Sequence, residues 1–484
     1  GNAVSVGNSA NVSYEYDEAN RLDKITTEST VYTFEYDSFG NTTKISAGSN
    51  TLASYTYEEN NGKLKTLTYG NGDSVRYTYD ELDRISQIEY NNGTGYVTSV
   101  KYTYNADGSV SKMQDMLTGE VTQFSYDSLG RLTGSSKRNT SGSESYAEKE
   151  AEYDEEERLK NATYTIGGDE SKRMHSFYYY DTRDRLERYL IFSDTLRFTN
   201  DIYYDAFSRP TLKETEIKFG NSVAFEASQS YEYKADGKAQ SALVSEFTSN
   251  FDGNTTVYSI AYDDMGNITS ISDNAGVVQN RYEYDDLGQL VREDNRALGK
   301  SYTYTYDDAG NILTKKIYNF TTGTLGTPID TISYTYSGDR LISYDGQSMT
   351  YDALGNPTEY KGYDVTWENG RQLAVMHYID NFVSYPKIEY TYNADGMITG
   401  VRHCYYILGD TEYYYDSEYI VDGTRVLAYQ GGDDRGSFYA EYLYDESGSP
   451  IGMRYYAYNF ETNQRETECV YYFFEKNIFG DIVG

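Results

Sequence analysis

The chain has 484 residues, of which 58 are tyrosine, 18 phenylalanine and one tryptophan. Tyrosine suits the half-buried face of a β-strand, and only 5 prolines and 42 glycines argue against a disordered, proline-rich tail. Lys and Arg number 42 and Asp and Glu number 76, so the net charge is −34, which argues against nucleic acid and anionic membranes as partners.

The acidic charge and the cysteines leave several interpretations open. Acidic residues keep a β-protein with many strand edges soluble, or they bind Ca²⁺ outside the cell. Cys404 and Cys469 do not make a disulfide framework. No apolar run approaches about 18 residues and no signal peptide is recognised, so we predict no membrane insertion. If the protein is exported, we expect this chain to be an internal piece of a longer polypeptide.

A short motif, Tyr-x-Tyr-Asp-x-x-Gly, recurs along the chain. It begins at Tyr14 and, with looser copies, returns about 18 times at intervals of roughly 20 to 30 residues, which suits one supersecondary unit per copy. Its structural repeat residues include Tyr36, Asp37, Gly40, Tyr126, Asp127, Gly130, Tyr284, Asp285, Gly288, Tyr306, Asp307, Gly310, Tyr351, Asp352 and Gly355.

Each position of the motif predicts part of a β-hairpin. The two rings of Tyr-x-Tyr lie two residues apart, so a strand places both on one face. The aspartate opens a turn and accepts hydrogen bonds from backbone N–H groups two or three residues on. The glycine supplies a left-handed backbone, and Asn20 and Asp83 replace it in two copies. Apolar residues after the turn do not alternate cleanly, which predicts a bulge there.

Some segments depart from the pattern. Ala147–Ala162 is rich in glutamate and locally resembles a charged helix, but its Tyr153-Asp154 step fits the repeat, with Glu157 in place of glycine. We therefore predict strands in this segment. Longer loops outside the repeat are predicted near Ser135–Ser145, Gly323–Ile329 and Gly431–Ser437.

The repeats together predict an all-β fold of tandem antiparallel hairpins. Two strands per copy give about 36 strands and a ribbon on the order of 170 Å long. Such a ribbon curls because strands twist, so we predict a spiral shell or an open arc. Neighbouring tyrosines are expected to pack as ladders.

The repeated motif resembles the Rhs/YD-repeat family, which includes bacterial polymorphic toxins, the shell component of insecticidal toxin complexes and animal teneurins. That resemblance implies a hollow β-spiral that sequesters an unfolded or toxic cargo, or a related shell used in adhesion. From Tyr442 onward the chain is similar to the start of the Rhs-associated core, which precedes a variable effector in family members. The resemblance thus divides the chain into a repeat array over 1–440 and a last repeat with the start of the core over 441–484.

Chemistry-bearing residues are scattered. His175, His377 and His403 have no partner spacing, and His403 and Cys404 face opposite sides of a strand. Paired acids such as Asp285-Asp286 recur at the turn position, so turn formation explains them better than calcium binding or glycosidase chemistry. We predict no catalytic, cofactor-binding or metal-binding residues, no cofactor, and no enzymatic activity.

Three functions compete for this sequence. The preferred one is a non-enzymatic shell scaffold of a secreted or cell-surface bacterial toxin-like protein, enclosing or presenting a C-terminal effector that this chain lacks. The alternative is an extracellular adhesin that binds a cell-surface glycan or protein through its tyrosines. A glycan-cleaving enzyme would need two carboxylates converging outside the repeat register, and the sequence offers no such pair.

Overall fold

The structure is a computed structural model that describes residues 5–7, 11–27, 30–139, 146–168, 173–193, 195–236, 239–337, 340–378, 387–408, 411–433, 436–459, 464–465, 469–477 and 479–482. These ranges contain 42 β-strands and no helix. Accordingly, the described residues include no helix with the length and apolar character to cross a membrane. The predicted all-β class is confirmed.

The strands form two open antiparallel sheets, of 30 and 12 strands. The first sheet contains β1 Ser5–Gly7, β2 Asn11–Tyr16, β3 Leu22–Thr26, β4 Val31–Tyr36, β5 Thr42–Ala47, β6 Asn50–Tyr57, β7 Leu64–Tyr69, β8 Ser74–Tyr79, β9 Ile85–Asn91, β10 Tyr96–Tyr104, β11 Val110–Asp115, β12 Glu120–Tyr126, β13 Leu132–Asn139, β14 Ala147–Tyr153, β15 Leu159–Ile166, β16 Met174–Tyr180, β17 Leu186–Phe192, β18 Leu196–Tyr204, β19 Pro210–Phe219, β20 Ser222–Asp236, β21 Ala239–Phe251, β22 Asn254–Tyr262, β23 Ile268–Asp273, β24 Val278–Tyr284, β25 Leu290–Asn295, β26 Lys300–Tyr306, β27 Ile312–Asn319, β28 Asp330–Ser337, β29 Arg340–Tyr344 and β30 Gln347–Ser348.

The second sheet continues along the chain. It contains β31 Thr350–Tyr351, β32 Pro357–Tyr360, β33 Tyr363–Glu368, β34 Gln372–Tyr378, β35 Lys387–Tyr392, β36 Ile398–Leu408, β37 Thr411–Asp422, β38 Arg425–Asp433, β39 Gly436–Tyr444, β40 Pro450–Asn459, β41 Gln464–Arg465 and β42 Val470–Phe473. Within both sheets each strand pairs antiparallel with the next in sequence, and β42 pairs with β40. Consecutive pairing of this kind is the predicted array of tandem hairpins.

The bulge that the sequence predicts lies at the second tyrosine of the motif. In the β4–β5 hairpin, Glu35 is opposite Lys44, whereas Tyr36 is opposite Thr42, so the register shifts by one residue between them. The same shift occurs at the corresponding tyrosine in hairpin after hairpin. The extra residue explains why the apolar residues after the turn do not alternate.

The turn aspartate organises the loop through both its side chain and its backbone. Asp37 accepts hydrogen bonds at Oδ1 from the backbone N–H groups of Phe39 and Asn41, both at 2.9 Å. Its carbonyl accepts the N–H of Gly40 at 3.2 Å. The carboxylate therefore binds the second and fourth residues on, not the second and third as predicted, because the third N–H already bonds the aspartate carbonyl.

Positive backbone angles mark the glycine position. Gly130 has a φ of 80°. The residues that replace glycine also have a positive φ, which is 62° at Asn20, 61° at Asp83 and 66° at Glu157. The glutamate-rich segment therefore forms the predicted strands, β14 and β15, with a repeat turn between them.

Two of the three predicted loops are strand instead, as far as they are described. Gly323–Ile329 lies between β27 and β28 as predicted, but Ser135–Asn139 belongs to β13, and 140–145 fall outside the described residues. The prediction at Gly431–Ser437 is wrong because β38 and β39 continue their ladder there, while 434–435 are outside the described residues. A Cβ on Gly431 would lie 2.6 Å from the Tyr429 hydroxyl, so this glycine accommodates a packed ring within a strand.

We expect Gly130→Val to lower the free energy of unfolding by about 1–2 kcal/mol, because a β-branched residue resists a φ of 80°. The space around Gly130 is open, as it is around Gly326, which has no positive φ, so Gly326→Val is the matched control. Chemical denaturation measures both variants. Equal stability of the two variants would contradict the turn assignment.

Candidate functional site

The first part of the repeated site is an ion pair within the turn. In the turn after β16, the Arg185 Nε donates to Asp181 Oδ2 at 2.7 Å, and the carboxylate also accepts the Arg185 backbone N–H. The hydrogen bond from the Arg185 side chain, helped by those from the backbone, lowers the pKa of Asp181 to about 2. The same pair recurs as Asp17–Arg21, Asp80–Arg84, Asp127–Arg131, Asp154–Arg158 and Asp205–Arg209.

The arginine of one turn also lies over the tyrosine of the next repeat. The Arg185 guanidinium carbon is 4.5 Å from the centre of the Tyr204 ring. Equivalent tyrosines are two strands apart, roughly 9.6 Å, which is too far for ring stacking but leaves room for a planar guanidinium between them. Such contacts join Arg21 to Tyr36, Arg84 to Tyr104, Arg131 to Tyr153, Arg158 to Tyr180, Arg209 to Tyr233, Arg340 to Tyr351 and Arg425 to Tyr444.

The tyrosine hydroxyl completes the link to the preceding repeat. Tyr204 donates to the Leu186 carbonyl at 2.8 Å. The ladder between β17 and β18 begins only at Arg188, so the hydroxyl supplies the donor that the neighbouring strand does not provide at Leu186. We call this contact, from the second tyrosine of a repeat to the backbone carbonyl of the repeat before it, the tyrosine clasp.

The tyrosine clasp is present along both sheets. Its donors are Tyr36, Tyr57, Tyr79, Tyr104, Tyr126, Tyr153, Tyr180, Tyr204, Tyr233, Tyr262, Tyr284, Tyr306, Tyr336, Tyr351, Tyr392 and Tyr444. In the repeat that precedes the one containing Tyr392, Trp367 takes the place of the clasp tyrosine and donates its Nε1–H to the Pro357 carbonyl at 2.7 Å. The hydrogen bond from this position to a backbone carbonyl is therefore a recurring feature of the repeat and not the result of one local environment.

The clasp was not predicted from the sequence, which suggested ladders of stacked rings. Ring pairs do occur, for example Tyr178 with Tyr189 at 5.0 Å and Tyr419 with Tyr429 at 5.0 Å. Between successive clasp tyrosines, however, the intervening strand and the arginine occupy the space. The available signal was the arginine that follows the left-handed turn residue in many copies, such as Arg131 after Gly130.

The structure places all of the predicted motif residues in this arrangement. Tyr36, Tyr126, Tyr284, Tyr306 and Tyr351 are clasp donors. Asp37, Asp127, Asp285, Asp307 and Asp352 each accept turn N–H groups, and Gly40, Gly130, Gly288, Gly310 and Gly355 have positive φ. In Asn-containing copies the side chain after the turn still binds the aspartate, as Asn311 does to Asp307 at 3.0 Å.

The two sheets contact each other along a seam. The Ala394 N–H donates to Asp115 Oδ2 at 2.6 Å, and the Lys137 ammonium donates to the Val421 carbonyl at 2.6 Å. Farther along, Glu446 accepts from Lys213 at 3.1 Å. Positions about 230 to 300 residues apart in sequence thus meet in order, so the ribbon returns alongside itself as a spiral does.

The seam also contains the largest hydrophobic core. Leu196, Phe198 and Ile217 of the first sheet pack in one cluster with Ala428 and Leu443 of the second. A cavity of about 100 Å³ lies in this region, lined by aromatic residues of both sheets that include Phe198, Phe225, Phe251 and Phe473. Apolar burial, together with the hydrogen bonds above, holds the two sheets together.

One buried ion pair of the second sheet lies at the seam and contacts the first sheet. Arg454 pairs with Glu441, and their side chains are 3% and 0% exposed. A second nitrogen of Arg454 donates to the Ser193 hydroxyl of the first sheet at 3.2 Å. Because a buried charge without its partner is costly, this pair fixes how β39 and β40 face the first sheet.

The histidines do not converge on one another. His175 is 2.9 Å from the Thr163 hydroxyl, His403 stacks on Tyr415 with ring centres 4.8 Å apart, and His377 lies in β34. Among the residues that the structure describes, no group of three or more His, Cys, Asp or Glu is placed to hold a metal ion. Neither Cys404 nor Cys469, both within the described residues, is in a disulfide bond.

Comparison with known proteins identifies the repeats. The family model "Teneurin YD-shell" matches residues 3–97, and the family model "RHS Repeat" matches residues 281–322. These two stretches of the chain are similar to the YD repeats of teneurin shells and to Rhs repeats. The predicted resemblance is therefore confirmed, and the tyrosine clasp is a contact between successive YD repeats. No curated protein sequence matches the chain.

Solved structures share the fold over nearly the whole chain. The TcdB2-TccC3-TEV crystal structure has a TM-score of 0.73 at 13% identity over 97% of this chain, and TcdB2-TccC3-Cdc42 has 0.73 at 14% over 98%. The Tc holotoxin pore of Photorhabdus luminescens, with a mutant TccC3, has 0.66 at 14% over 98%. This chain spans only 25%, 25% and 26% of those chains. The YD repeats thus adopt the fold of part of a Tc toxin complex.

We expect Tyr180→Phe to lower the free energy of unfolding by about 1 kcal/mol, because it removes the 3.0 Å hydrogen bond to the Leu159 carbonyl. The adjacent Tyr179 is 47% exposed, and Tyr179→Phe is the control, with an expected change within about 0.5 kcal/mol. Urea denaturation distinguishes the two. If both substitutions have the same effect, the clasp contributes nothing.

We expect stability to fall as the pH rises above about 10. Burial raises the pKa of Tyr306 and of Tyr284, two clasp donors, above 10.0, and that of the clasp donor Tyr444 to about 12. A folded pKa above the unfolded one means that this stability is complete below pH 10 and is lost as the pH rises through about 12. Denaturation at stepped pH, with tyrosinate absorbance recorded in parallel, measures the loss. Constant stability across this interval would contradict the donor role of the hydroxyls.

Proposed function

We propose that this chain is a non-enzymatic wall segment of an extracellular, toxin-like YD-repeat protein. In this role it encloses or presents an effector that is not among its own residues. The observation that carries the proposal is the seam, where Asp115, Lys137 and Lys213 of the first sheet bind Ala394, Val421 and Glu446 of the second. A ribbon that returns alongside itself makes a wall, whereas a flat array would enclose nothing.

The fold shared with the TcdB2-TccC3 complexes supports this proposal. The contacts of the polar side chains support it as well. The clasp tyrosines and the turn aspartates bind other groups within the repeat array, which is what a structural wall requires. We further propose that residues 441–484 are the last repeat and the start of a core that follows the wall. In that reading, secretion and the identity of the effector depend on segments beyond these repeats.

An adhesive role receives less support from the side chains. Glycan binding by stacking requires exposed aromatic faces, and the clasp tyrosines are half-buried with arginines over many of their rings. On a glycan array we accordingly expect no binding above that of a heat-unfolded control.

Limited proteolysis of the full-length gene product that contains this chain tests the wall proposal. We expect the segment C-terminal to the repeats to be cleaved about tenfold more slowly than the same segment expressed alone, because the wall keeps the protease away. An immunoblot against that segment follows the cleavage. Equal cleavage rates for the enclosed and the isolated segment would overturn the proposal.

A further inference from the structure

Because each strand pairs with the next, the ends of the strands line up along two opposite sides of the first sheet, which we call edges. Connections in an antiparallel meander alternate between the two ends of the strands. One edge, here the turn edge, carries the YD turns at 17–20, 37–40, 80–83, 105–108, 127–130, 154–157, 181–184, 205–208, 263–266, 285–288 and 307–310. The opposite edge, here the loop edge, carries the connections between repeats, such as 70–73, 116–119, 252–253, 274–277, 296–299 and 320–329.

The seam pairs these two kinds of edge. Two turns of the second sheet dock on the loop edge of the first. A Cβ on Gly70 would lie 3.2 Å from that of Ala353, in the YD turn after β31. Ala394, in the turn after β35, donates to Asp115, the last residue of β11 before the β11–β12 connection. At these two places a turn of the second sheet therefore contacts the loop edge of the first, whereas Glu446, in the turn after β39, contacts Lys213 within β19.

Docking lowers the exposure of some turn residues, although Asp395 and Ser447, at the third position of two docked turns, are exposed. Asn393, the first residue of a docked turn, is 3% exposed, whereas Asn105 at the same position of a turn in the first sheet is exposed. Leu354 in a docked turn is half-buried, whereas Phe39 at the same position is 90% exposed. On the turn edge of the first sheet, an apolar side chain such as Phe39 is therefore exposed, whereas Leu354 in a docked turn is half-buried.

Six of the eleven YD turns on this edge carry an exposed apolar side chain, and Asp107, Glu156 and Arg183 interrupt the series. The apolar side chains occupy the third position of the turn, and their exposed fractions are 90% for Phe39, 69% for Leu82, 64% for Leu129, 65% for Phe207, 73% for Met265 and 70% for Leu287. The turn itself does not require them, because Ala19 and Ala309 occupy the same position. Apolar residues repeated along one exposed edge mark an interaction surface.

The same chain carries a complementary edge. The second sheet contacts the loop edge of the first at Gly70 and Asp115, and farther along the chain the connections of this edge expose Leu298 at 60% and Ile329 at 51%. A second copy can therefore offer a loop edge to the turn edge of the first copy, in continuation of the seam already present.

We propose that the turn edge from Asp37 to Gly288 is a docking surface for the loop edge of a second copy of this chain. The contact is heterologous, because the two copies use different surfaces. Such a contact leaves one free edge on each end copy, so it propagates head to tail unless the rotation between copies closes a ring. This self-association is independent of any effector and goes beyond the wall function proposed above.

Sedimentation velocity of the full chain over a range of concentrations tests the proposal. We expect the wild type to form species that grow with concentration. A turn-edge variant with Phe39→Ser, Leu82→Ser, Leu129→Ser and Phe207→Ser is expected to stay at the monomer mass. A control with Val97→Ser and Tyr179→Ser, at positions 60% and 47% exposed within strands, is expected to assemble like the wild type.

Mixing two variants sharpens the test. A loop-edge variant, Leu298→Asp, retains its turn edge, and the turn-edge variant retains its loop edge. We expect each variant alone to be monomeric and their mixture to form dimers that do not grow further. A wild type that stays monomeric at every concentration would overturn the proposal. So would a turn-edge variant that assembles like the wild type, or a mixture that contains no dimer.

Discussion

The tyrosine clasp is the contact on which the array depends. A hairpin repeat places its second tyrosine two strands away from the previous one, which is beyond the reach of ring stacking. The bulge and the turn also separate neighbouring strands near each YD turn, so that the ladder between repeats starts two residues after a carbonyl such as Leu186. The hydroxyl of Tyr204 reaches that carbonyl, and the guanidinium of Arg185 fills the space over the ring. These contacts therefore connect each repeat to the next near the YD turn, where the neighbouring strands do not form ladder hydrogen bonds.

The same geometry explains how an acidic chain is stabilised. Many of its carboxylates lie in turns, where Asp17, Asp80 and Asp181 accept backbone N–H groups and an arginine, and their pKa values are lowered by these hydrogen bonds. An isolated hairpin of this kind would be marginal in water. Joined through clasps and then through the seam, the hairpins gain buried surface that no single repeat provides.

Much of the fold follows from the sequence because it is local. The turn aspartate, the left-handed residue and the alternation of the strand specify each hairpin, and even Glu157 was placed correctly since the surrounding pattern outweighs one residue. The clasp was missed because its acceptor is a backbone carbonyl, which no side-chain pattern reveals. The seam was foreseen only as a general consequence of curling, since the partners of Asp115 and Lys213 depend on how far the ribbon bends. The strands at Gly431 were missed because glycine usually signals a loop, while here it makes room for Tyr429.

A double-mutant cycle across one repeat boundary tests the central claim most directly. Arg84 and Tyr104 belong to successive YD repeats, with the guanidinium 4.4 Å from the ring centre and the hydroxyl 2.6 Å from the Ile85 carbonyl. Unfolding free energies of Arg84→Met, Tyr104→Leu and the double variant give the coupling between repeats, and Asn311 with Tyr336 gives a control pair that contains no arginine. The contact of the arginine with the clasp tyrosine of the next repeat predicts a coupling of about 1 kcal/mol for Arg84 with Tyr104 and a smaller one for the control. Additive effects of the two substitutions would contradict it.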